Sequence, residues 1–291
     1  MKQLLILSGK GGTGKTTVAG ALIQIYRTKA YADCDVDAPN LHLMMLQETM
    51  PELSDYYGMQ KAFIDPNLCI SCGACMAHCR FEAIADQPDY HIDPISCEGC
   101  GVCTLVCSVS AISMRDDIAG KLSLYQNNHV FSTAELNMGS GTSGKLVTQV
   151  KQNLNTHVPK TEQAVIDGSP GIGCPVIASV SGAQYVLIVT EPSLSGQSDL
   201  IRLMKTLHQF GAPHAVCINK ADLNGEICRE IETYCSLNSI PFLGTIPYDP
   251  QAIRQINEGK SIMESDSLSA QAIKRIAQRL LKYIVQENQV I

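Results

Sequence analysis

Short apolar runs alternate with longer amphipathic segments along most of the 291-residue chain. A continuous apolar run of about four to eight residues predicts a buried strand, whereas apolar residues repeated every three or four positions predict a helix. The predicted strands are residues 4–7, 30–34, 164–167, 185–189, 215–218 and 242–246. The predicted helices are residues 18–26, 145–153, 195–210 and 268–285. This alternation predicts an α/β fold with a doubly wound, mostly parallel sheet.

An internal repeat interrupts this alternation in the first half of the chain. Residues 64–84 recur as residues 92–112, and each copy carries four cysteines spaced C-x2-C-x2-C-x3-C. Eight of the 13 cysteines lie in these two runs. We predict one domain from residues 1–60 and 121–291 and an inserted domain from residues 61–120. Residues 41–60 are predicted to form a short helix and an irregular connector, and residues 121–131 a strand or hairpin that returns the chain to the first domain.

The cysteine spacing resembles that of bacterial ferredoxins with two 4Fe-4S clusters. The resemblance implies a small α+β ferredoxin-like insert, in which three cysteines of one run and the fourth cysteine of the other bind each cluster. The first cluster would take Cys69, Cys72, Cys75 and Cys107, and the second Cys97, Cys100, Cys103 and Cys79. Arg80 and Ser108 replace the proline that usually follows the fourth cysteine, a departure that concerns the redox potential more than the fold. Two four-cysteine zinc sites are the alternative, although such sites usually pair C-x2-C units at longer separation.

A glycine-rich segment, Ser8 to Thr17, links the first predicted strand to the first predicted helix. Its spacing, Gly9-x-x-x-x-Gly14-Lys15-Thr16, is that of a P-loop, which binds phosphate through backbone N–H groups at a helix N-terminus. Lys15 is predicted to reach the β- and γ-phosphates, and the Thr16 hydroxyl to bind Mg²⁺. The predicted nucleotide-binding residues of this loop are Gly9, Gly11, Gly12, Thr13, Gly14, Lys15, Thr16 and Thr17. A glycine-rich turn without a ligand is the alternative, and the flanking strand and helix argue against it.

Lys10, directly after the first glycine of the loop, adds a second lysine to the motif. The segment Lys-Gly-Gly-Thr-Gly-Lys-Thr resembles the deviant Walker A motif of the MinD/ParA/Mrp superfamily, to which the nitrogenase iron protein belongs. The resemblance implies ATP as the nucleotide. It also implies a homodimer, or a heterodimer with a related ATPase, in which Lys10 reaches the partner's nucleotide and neutralises charge on the transferred phosphoryl group. A solvated loop lysine is the alternative.

Two aspartates, Asp33 and Asp35, stand at the end of the second predicted strand, where parallel sheets bind ligands. In the superfamily that the P-loop resembles, an aspartate followed by Asn and Leu orients the attacking water. Asp35 matches this residue by its offset from Asn40 and Leu41, so the resemblance makes Asp35 a predicted catalytic residue beside the two P-loop lysines. Asp33 is predicted to be a structural acid that faces Mg²⁺ through water. Simple capping of a turn is the alternative for both.

Two later strand ends complete the predicted nucleotide site. Asp167 ends a strand typical of a Walker B motif and is predicted to hold Mg²⁺ through water, and Gly171 in the next loop is predicted to place its N–H near the γ-phosphate. An ordinary strand-end turn is the alternative. Asn219 corresponds to a superfamily asparagine that contacts adenine. Because the string Asn-Lys-x-Asp that ends at Asp222 is also typical of GTPases, GTP is the less favoured alternative.

Two other segments imitate functional motifs. Residues 139–146 imitate a second P-loop, but Leu146 replaces the Ser or Thr that would bind Mg²⁺, so we predict a loop that caps a helix. Lys145 in this loop is a weaker candidate for a phosphate contact. Cys174 follows Asp167 by seven residues, like a cysteine of the nitrogenase iron protein that binds a cluster shared by two subunits. No second cysteine lies in residues 135–150, so a buried structural thiol is favoured.

The overall composition limits the expected partners and location. The formal net charge is −6 and there is no tryptophan, whereas nucleic-acid-binding proteins are more often basic, so no nucleic-acid partner is expected. No 18-residue apolar run occurs, and the first apolar run is too short for a signal peptide, so a soluble, cytoplasmic protein is predicted. The last predicted helix has one apolar and one basic face. Docking of this helix on the sheet is favoured over binding to a membrane.

These features together suggest an ATP-hydrolysing iron–sulfur protein. In the favoured hypothesis, nucleotide-dependent dimerisation through Lys10 controls electron transfer between two 4Fe-4S clusters and a protein partner. One alternative is a redox-sensing, MinD-like positioning or scaffold ATPase. Another is a carrier of iron–sulfur clusters that matures other enzymes.

Overall fold

The computed structural model describes residues 2–45, 47–158 and 163–289. Within these ranges the strands are β1 (Lys2–Leu7), β2 (Ala30–Asp33), β3 (Glu52–Tyr57), β4 (Lys61–Ile64), β5 (Ile84–Ala85), β6 (His91–Ile92), β7 (Ile112–Arg115), β8 (Ile118–Gln126), β9 (Val130–Leu136), β10 (Gln163–Asp167), β11 (Tyr185–Thr190), β12 (His214–Ile218) and β13 (Phe242–Thr245). The helices are α1 (Lys15–Tyr26), α2 (Ala74–His78), α3 (Val102–Val106), α4 (Ser143–His157), α5 (Cys174–Val180), α6 (Leu194–Gln209), α7 (Gly225–Leu237), α8 (Pro250–Asn257) and α9 (Leu268–Gln289). The chain divides into a larger unit, Met1–Glu52, Ser123–Ala134 and Gly144–Ile291, and a smaller unit, Leu53–Leu122 and Glu135–Ser143.

The larger unit is built on a parallel sheet in the order β13–β12–β11–β1–β10–β2–β9. Strand β1 lies between β10 and β11, so the strand order changes direction there. All residues of β1 from Leu4 to Leu7 are buried, as expected for a strand covered on both faces. Asp167, the last residue of β10, is in register with Ile6 of β1 and Asp33 of β2. The predicted α/β fold with a mostly parallel sheet is confirmed, and its carboxyl edge gathers the predicted acidic residues.

Helices α1 and α9 pack on one face of this sheet. Leu22 of α1 and Ile273, Ile276 and Leu280 of α9 belong to one buried apolar cluster with strand residues such as Ile6. The predicted docking of the last helix is therefore confirmed. No helix among the described residues is long and apolar enough to cross a membrane.

Several elements differ from the predicted pattern. Residues 52–57, predicted as an irregular connector, form β3, and the apolar pattern missed it because Tyr56 alone is buried in this strand. Helix α4 extends beyond the predicted residues 145–153: the prediction ended one residue before buried Leu154, which continues the apolar repeat, and the outermost residues at both ends carry no apolar side chain. Helix α7 was not predicted, although Asn224 caps it by accepting hydrogen bonds from the backbone N–H groups of Glu226 and Ile227.

The smaller unit reflects the sequence repeat. Strand β4 pairs with β7, and β5 with β6, so the start of each copy pairs with the end of the other. The backbone N–H of Asp65 donates to the carbonyl oxygen of Ala111 at 2.8 Å, and that of Asp93 to Ala83 at 2.8 Å. These equivalent bonds give the unit an approximate internal twofold symmetry. Its extent exceeds the predicted insert of residues 61–120, since it includes 53–60 and 135–143.

Candidate functional site

The loop between β1 and α1 is shaped by two glycines in the left-handed region, Gly12 at φ +78° and Gly14 at φ +89°. A Cβ atom at Gly14 would lie 2.2 Å from Nδ2 of Asn219, and the positive φ there would strain any residue that has a side chain. A Cβ atom at Gly11 or Gly12 would meet no atom of the described chain within 4 Å. The Thr13 hydroxyl is buried and has no hydrogen-bond partner among the described residues. The loop thus leaves open space and a free hydroxyl at the N-terminus of α1, where helix N–H groups are available to a ligand.

Lys15, the first residue of α1, is 5% exposed and forms the centre of a charged cluster. Its Nζ lies 2.6 Å from Oδ1 of Asp167 and 3.8 Å from Oδ2 of Asp35. Burial favours the neutral amine, but Asp167, Asp33 and Asp35 outweigh it and raise the pKa of Lys15. The Thr16 hydroxyl donates to Oδ2 of the same Asp167 at 2.6 Å. Residues far apart in the sequence are thereby assembled into one site.

Asp33 is fully buried, and its carboxylate organises the loop after β2. It accepts hydrogen bonds from the backbone N–H groups of Asp35 at 3.0 Å and of Asn40 and Leu41, each at 2.9 Å. Burial, reinforced by Asp167, raises the pKa of Asp33 to about 7. This geometry agrees with a structural acid, and its contact with Mg²⁺ through water stays a prediction.

Asp35 lies at the open side of the same cluster, with its side chain 13% exposed. Burial raises the pKa of its carboxyl group from 3.8 to about 6, and the nearby Lys15 opposes this shift. Asp33 is fully buried, whereas the carboxylate of Asp35 is accessible to a water molecule. This accessibility suits the predicted role of Asp35 in orienting water.

Replacing Asp35 with asparagine is expected to stabilise the nucleotide-free chain at neutral and alkaline pH. A carboxyl group with a raised pKa binds more protons in the folded than in the unfolded chain, so stability falls as pH rises from about 4 to about 6. The substitution removes this cost, and we expect a gain in the free energy of unfolding of up to about 3 kcal/mol at pH 8 and much less at pH 5. Urea unfolding at both pH values measures it. Asp86→Asn, at an exposed position that does not contribute to the raised pKa of Asp35, is the control, and an equal gain in both variants would contradict the assignment.

Two groups that were predicted to contact phosphate, the N–H of Gly171 and the ammonium group of Lys10, contact other residues of the same chain in this structure. The Gly171 N–H donates to the carbonyl oxygen of Ser8 at 2.9 Å. Lys10 Nζ lies 2.7 Å from Oε1 of Glu191 in its own chain. Glu191 and Lys220, which also contacts Glu191, were not predicted as site residues. Glu191 could have been identified from its position directly after β11, because β11 lies beside β1 and ligands bind at the carboxyl edge of such a sheet.

A cavity beside the P-loop is lined by Gly12, Gly14, Thr17, Val18, Asn219, Lys220, Ile246, Pro247, Tyr248, Asp249, Ile253, Ile262, Ser269 and Ile273. Its largely apolar wall suits the face of a nucleotide base. Nδ2 of Asn219 donates to the carbonyl oxygen of Thr13 at 2.8 Å, which ties this wall to the P-loop. Asp222 is not among the lining residues, and its Oδ1 accepts a hydrogen bond from the backbone N–H of Tyr248 at 2.6 Å. The guanine-selecting position of the GTPase pattern is therefore engaged within the chain.

The eight cysteines of the repeat line two separate cavities in the smaller unit. One contains Cys69, Cys72, Cys75 and Cys107, and the other Cys79, Cys97, Cys100 and Cys103. Each cavity thus takes three cysteines from one run and one from the other. Among the described residues, no three His, Cys, Asp or Glu side chains lie close enough together to ligate a single metal ion.

The remaining five cysteines belong to the larger unit. Cys34, Cys217, Cys228 and Cys235 are buried, whereas Cys174 is exposed at the start of α5. The predicted burial of Cys174 was therefore wrong, because the first turn of α5 exposes this position.

Comparison with known proteins identifies a family that matches most of the chain. The CobQ/CobB/MinD/ParA nucleotide binding domain matches residues 4–262. An uncharacterized protein of Methanocaldococcus jannaschii, MJ0578, is 32% identical over 289 residues, which cover 97% of each chain. An uncharacterized ATP-binding protein of the same organism, MJ0547, is 25% identical, with 96% of this chain and 87% of that protein covered. The septum site-determining protein MinD of Bacillus subtilis is 23% identical, with 96% and 89% covered.

Solved structures show the same fold at lower identity. MinD of Pyrococcus horikoshii, complexed with Mg-ADP, has a TM-score of 0.57 and 18% identity, with 96% of this chain and 95% of that chain covered. The MinC:MinD cell division protein complex of Aquifex aeolicus has a TM-score of 0.55 and 17% identity, with 97% and 96% covered. The family match spans the P-loop, both acidic strand ends and the cysteine repeat. The chain belongs to the CobQ/CobB/MinD/ParA nucleotide binding domain family.

Proposed function

We propose that the chain binds ATP with Mg²⁺ and hydrolyses it to ADP and phosphate. The observation that carries this proposal is the buried cluster at the P-loop, in which Lys15 and Thr16 share the carboxylate of Asp167. A lysine, a hydroxyl and a carboxylate at a helix N-terminus are the groups that a triphosphate with a divalent cation requires. The unpartnered Thr13 hydroxyl in the same loop fits a phosphate oxygen. The printed names of the relatives, an ATP-binding protein and a MinD with Mg-ADP, support the same nucleotide.

Each residue of the cluster has a distinct task in this proposal. Lys15 exchanges Asp167 for phosphate oxygens, and Thr16 and Asp167 are the residues that would hold Mg²⁺. The ion, when bound, supplies neutralisation of phosphate charge. Asp35 accepts a hydrogen bond from the attacking water and orients it. The water oxygen bonds to the γ-phosphorus while the bond to the bridging oxygen breaks, so ADP leaves with the electron pair and the water protons pass to phosphate and solvent.

Replacing Lys10 with alanine tests the dimer that the family resemblance implies. We expect the unmodified chain to change from monomer to dimer when a non-hydrolysable ATP analogue and Mg²⁺ are added, as measured by light scattering. We expect Lys10→Ala to remain monomeric and its ATP turnover to fall at least about tenfold, since a cation supplied in trans stabilises the transferred phosphoryl group. Lys29→Ala, at an exposed position, is the control. A Lys10→Ala chain that dimerises and hydrolyses ATP normally would refute the mechanism.

We also propose that the two cysteine-lined cavities each hold a 4Fe-4S cluster. The supporting observation is their composition, three cysteines of one run with the fourth of the other. A single zinc ion needs ligands that converge on one point, whereas a four-iron cluster takes one thiolate at each corner, so thiolates spread around a cavity suit the cluster. The clusters, when bound, supply one-electron transfer.

The remaining residues of these cavities suit the same role. Gly73 at φ +73° and Gly101 at φ +74° occupy equivalent positions, where the backbone can approach a cluster sulfur closely. Apolar residues complete the walls, Ile64 and Ile112 in one cavity and Ile84 in the other. Such walls exclude water and help to set a cluster's potential.

In the favoured function, the nucleotide state of the dimer controls electron transfer from the smaller unit to a protein partner. The presence of a nucleotide site and two four-cysteine cavities in one chain supports this coupling. The test measures how fast dithionite reduces the anaerobically prepared protein. The rate is compared with and without Mg-ATP, for the unmodified chain and for Lys10→Ala. A nucleotide effect that is lost in the variant is expected. Equal rates under all conditions would contradict coupling.

A positioning or scaffold ATPase is the second candidate, because one relative is named a septum site-determining protein and a similar structure is a MinC:MinD complex. Sedimentation of the full-length chain with anionic liposomes, with and without Mg-ATP, separates the candidates. Deletion of α9 is unsuitable, because its apolar face belongs to the core. Liposome binding that requires ATP would favour the second candidate.

A further inference from the structure

Glu191, the residue directly after β11, joins two lysines at the mouth of the nucleotide site. Its Oε1 lies 2.7 Å from Nζ of Lys10, and its Oε2 lies 3.3 Å from Nζ of Lys220. Lys220 also donates to the carbonyl oxygen of Gly12 at 2.7 Å. We call this set, Lys10, Glu191 and Lys220, the Glu191 bridge. It connects Lys10 directly, and the carbonyl oxygen of Gly12 through Lys220, to one carboxylate.

Glu191, Ser193 and Ser195 together occupy the whole hydrogen-bonding capacity of Lys10. A lysine ammonium group has three N–H donors. Lys10 Nζ lies within hydrogen-bonding distance of Oε1 of Glu191 at 2.7 Å, of the Ser195 hydroxyl at 2.8 Å and of the Ser193 hydroxyl at 3.2 Å. Lys10 therefore has no donor left for a phosphate outside its own chain in this structure.

The acceptors of Lys10 are themselves held in place. Ser193 caps α6 by accepting a hydrogen bond from the backbone N–H of Gly196 at 3.0 Å. A Cβ atom at Gly196 would lie 2.4 Å from the carbonyl oxygen of Glu191, so the turn between β11 and α6 is tightly packed. Burial of Glu191 opposes its ionisation, but the hydrogen bonds and charges of Lys10 and Lys220 outweigh this effect and lower its pKa. Lys10 is thus bound to an ionised carboxylate whose backbone belongs to a tightly packed turn.

We propose that Glu191 is a positioning residue that holds Lys10 within its own chain until nucleotide phosphate competes for it. Release of Lys10 from the Glu191 bridge then sets the nucleotide concentration at which two chains associate. This inference rests on the proposed nucleotide-dependent dimer. The physical basis is competition between one carboxylate and a polyphosphate for the same ammonium group, since charge-assisted hydrogen bonds to either anion are of similar type.

Glu191→Gln tests the bridge, because glutamine keeps the shape and one acceptor but removes the negative charge. The first measurement is the rate at which an amine-acylating reagent modifies Lys10 in the nucleotide-free chain, followed by mass spectrometry. We expect this rate to rise about fivefold, the effect of losing one partly exposed ion pair. The rate at exposed Lys205 should not change. Glu226→Gln removes the same charge at an exposed position in α7 and is the matched control.

The second measurement is the concentration of Mg-bound ATP analogue that gives half-maximal dimerisation. We expect it to fall about fivefold in Glu191→Gln and to stay unchanged in Glu226→Gln. Ser195→Ala, which removes one hydrogen bond of Lys10 and keeps Glu191, should raise Lys10 modification about twofold and covers the case in which Glu191→Gln does not fold.

The two measurements separate failure of this inference from failure of the proposed function. Unchanged modification of Lys10 in both Glu191→Gln and Ser195→Ala would overturn the Glu191 bridge, whatever the oligomeric state. Faster modification with an unchanged midpoint of dimerisation would overturn its control of association. If the unmodified chain stays monomeric with the ATP analogue, the proposed dimer and the regulation of dimerisation by Glu191 are both contradicted. The modification rates would still decide whether Glu191 restrains Lys10.

Discussion

Replacing Lys15 with methionine is expected to lower ATP turnover about 1,000-fold, the largest catalytic effect of any single change that we predict. Methionine fills a similar volume but supplies no charge to the phosphates. The loss should appear in turnover of a steady-state phosphate-release assay and in nucleotide affinity. Lys29→Met, at an exposed position outside the site, should retain full turnover. Turnover in Lys15→Met within tenfold of the unmodified chain would contradict the assigned site.

The same substitution is expected to change stability in a pH-dependent way. Lys15 is the charge partner of buried Asp167 and lies beside Asp33 and Asp35, so its removal leaves acidic groups uncompensated in the fold. Loss of one partner of a buried pair costs about 3 kcal/mol or more. Because the carboxyl groups can then relieve repulsion by binding protons, the loss in free energy of unfolding should be larger at pH 8 than at pH 5. A loss that is independent of pH would contradict this electrostatic account.

Replacing Cys107 with serine is expected to remove half of the iron from anaerobically prepared protein. We expect about eight iron atoms per unmodified chain and about four in the variant, because each proposed cluster contains four. Cys107 belongs to the second cysteine run but lines the first cavity. The cluster that remains should therefore be the one in the cavity of Cys97, Cys100 and Cys103. Iron and sulfide analysis measures the loss.

A second substitution identifies which cluster is lost. Cys75→Ser, in the first run, should lose the same cluster as Cys107→Ser, and the double variant should still hold about four irons. Cys174→Ser, at the exposed cysteine of the larger unit, should keep about eight. If the double variant loses all iron, the pairing across the two runs is wrong. Zinc, or no metal, in the unmodified chain would refute both proposed clusters.

The sequence predicted well those features that depend on neighbouring residues. The P-loop spacing, with strand and helix on either side, placed Lys15 at a helix N-terminus, and the structure has α1 begin at that residue. Continuous apolar runs predicted β1, β2 and β10–β13 because a strand covered on both faces needs no polar positions. Strand β3 was missed because five of its six residues face outward and leave no such run.

Contacts between site residues that are far apart in the sequence could not be predicted from local patterns. The register of Asp167 with Asp33 depends on β10 lying beside β2, which no local pattern specifies. Glu191 was missed for the same reason, since its importance arises from the 2.7 Å contact with Lys10, a residue 181 positions earlier.

The sequence by itself determined the P-loop, the parallel α/β architecture and the two cysteine runs, because spacing and apolar periodicity are local properties of the chain. The tertiary structure decided which carboxylates surround Lys15 and that Glu191 and Lys220 hold Lys10 and the Gly12 carbonyl oxygen of the P-loop. These are contacts between residues far apart in the sequence, and they are set by strand order and by packing of the whole fold.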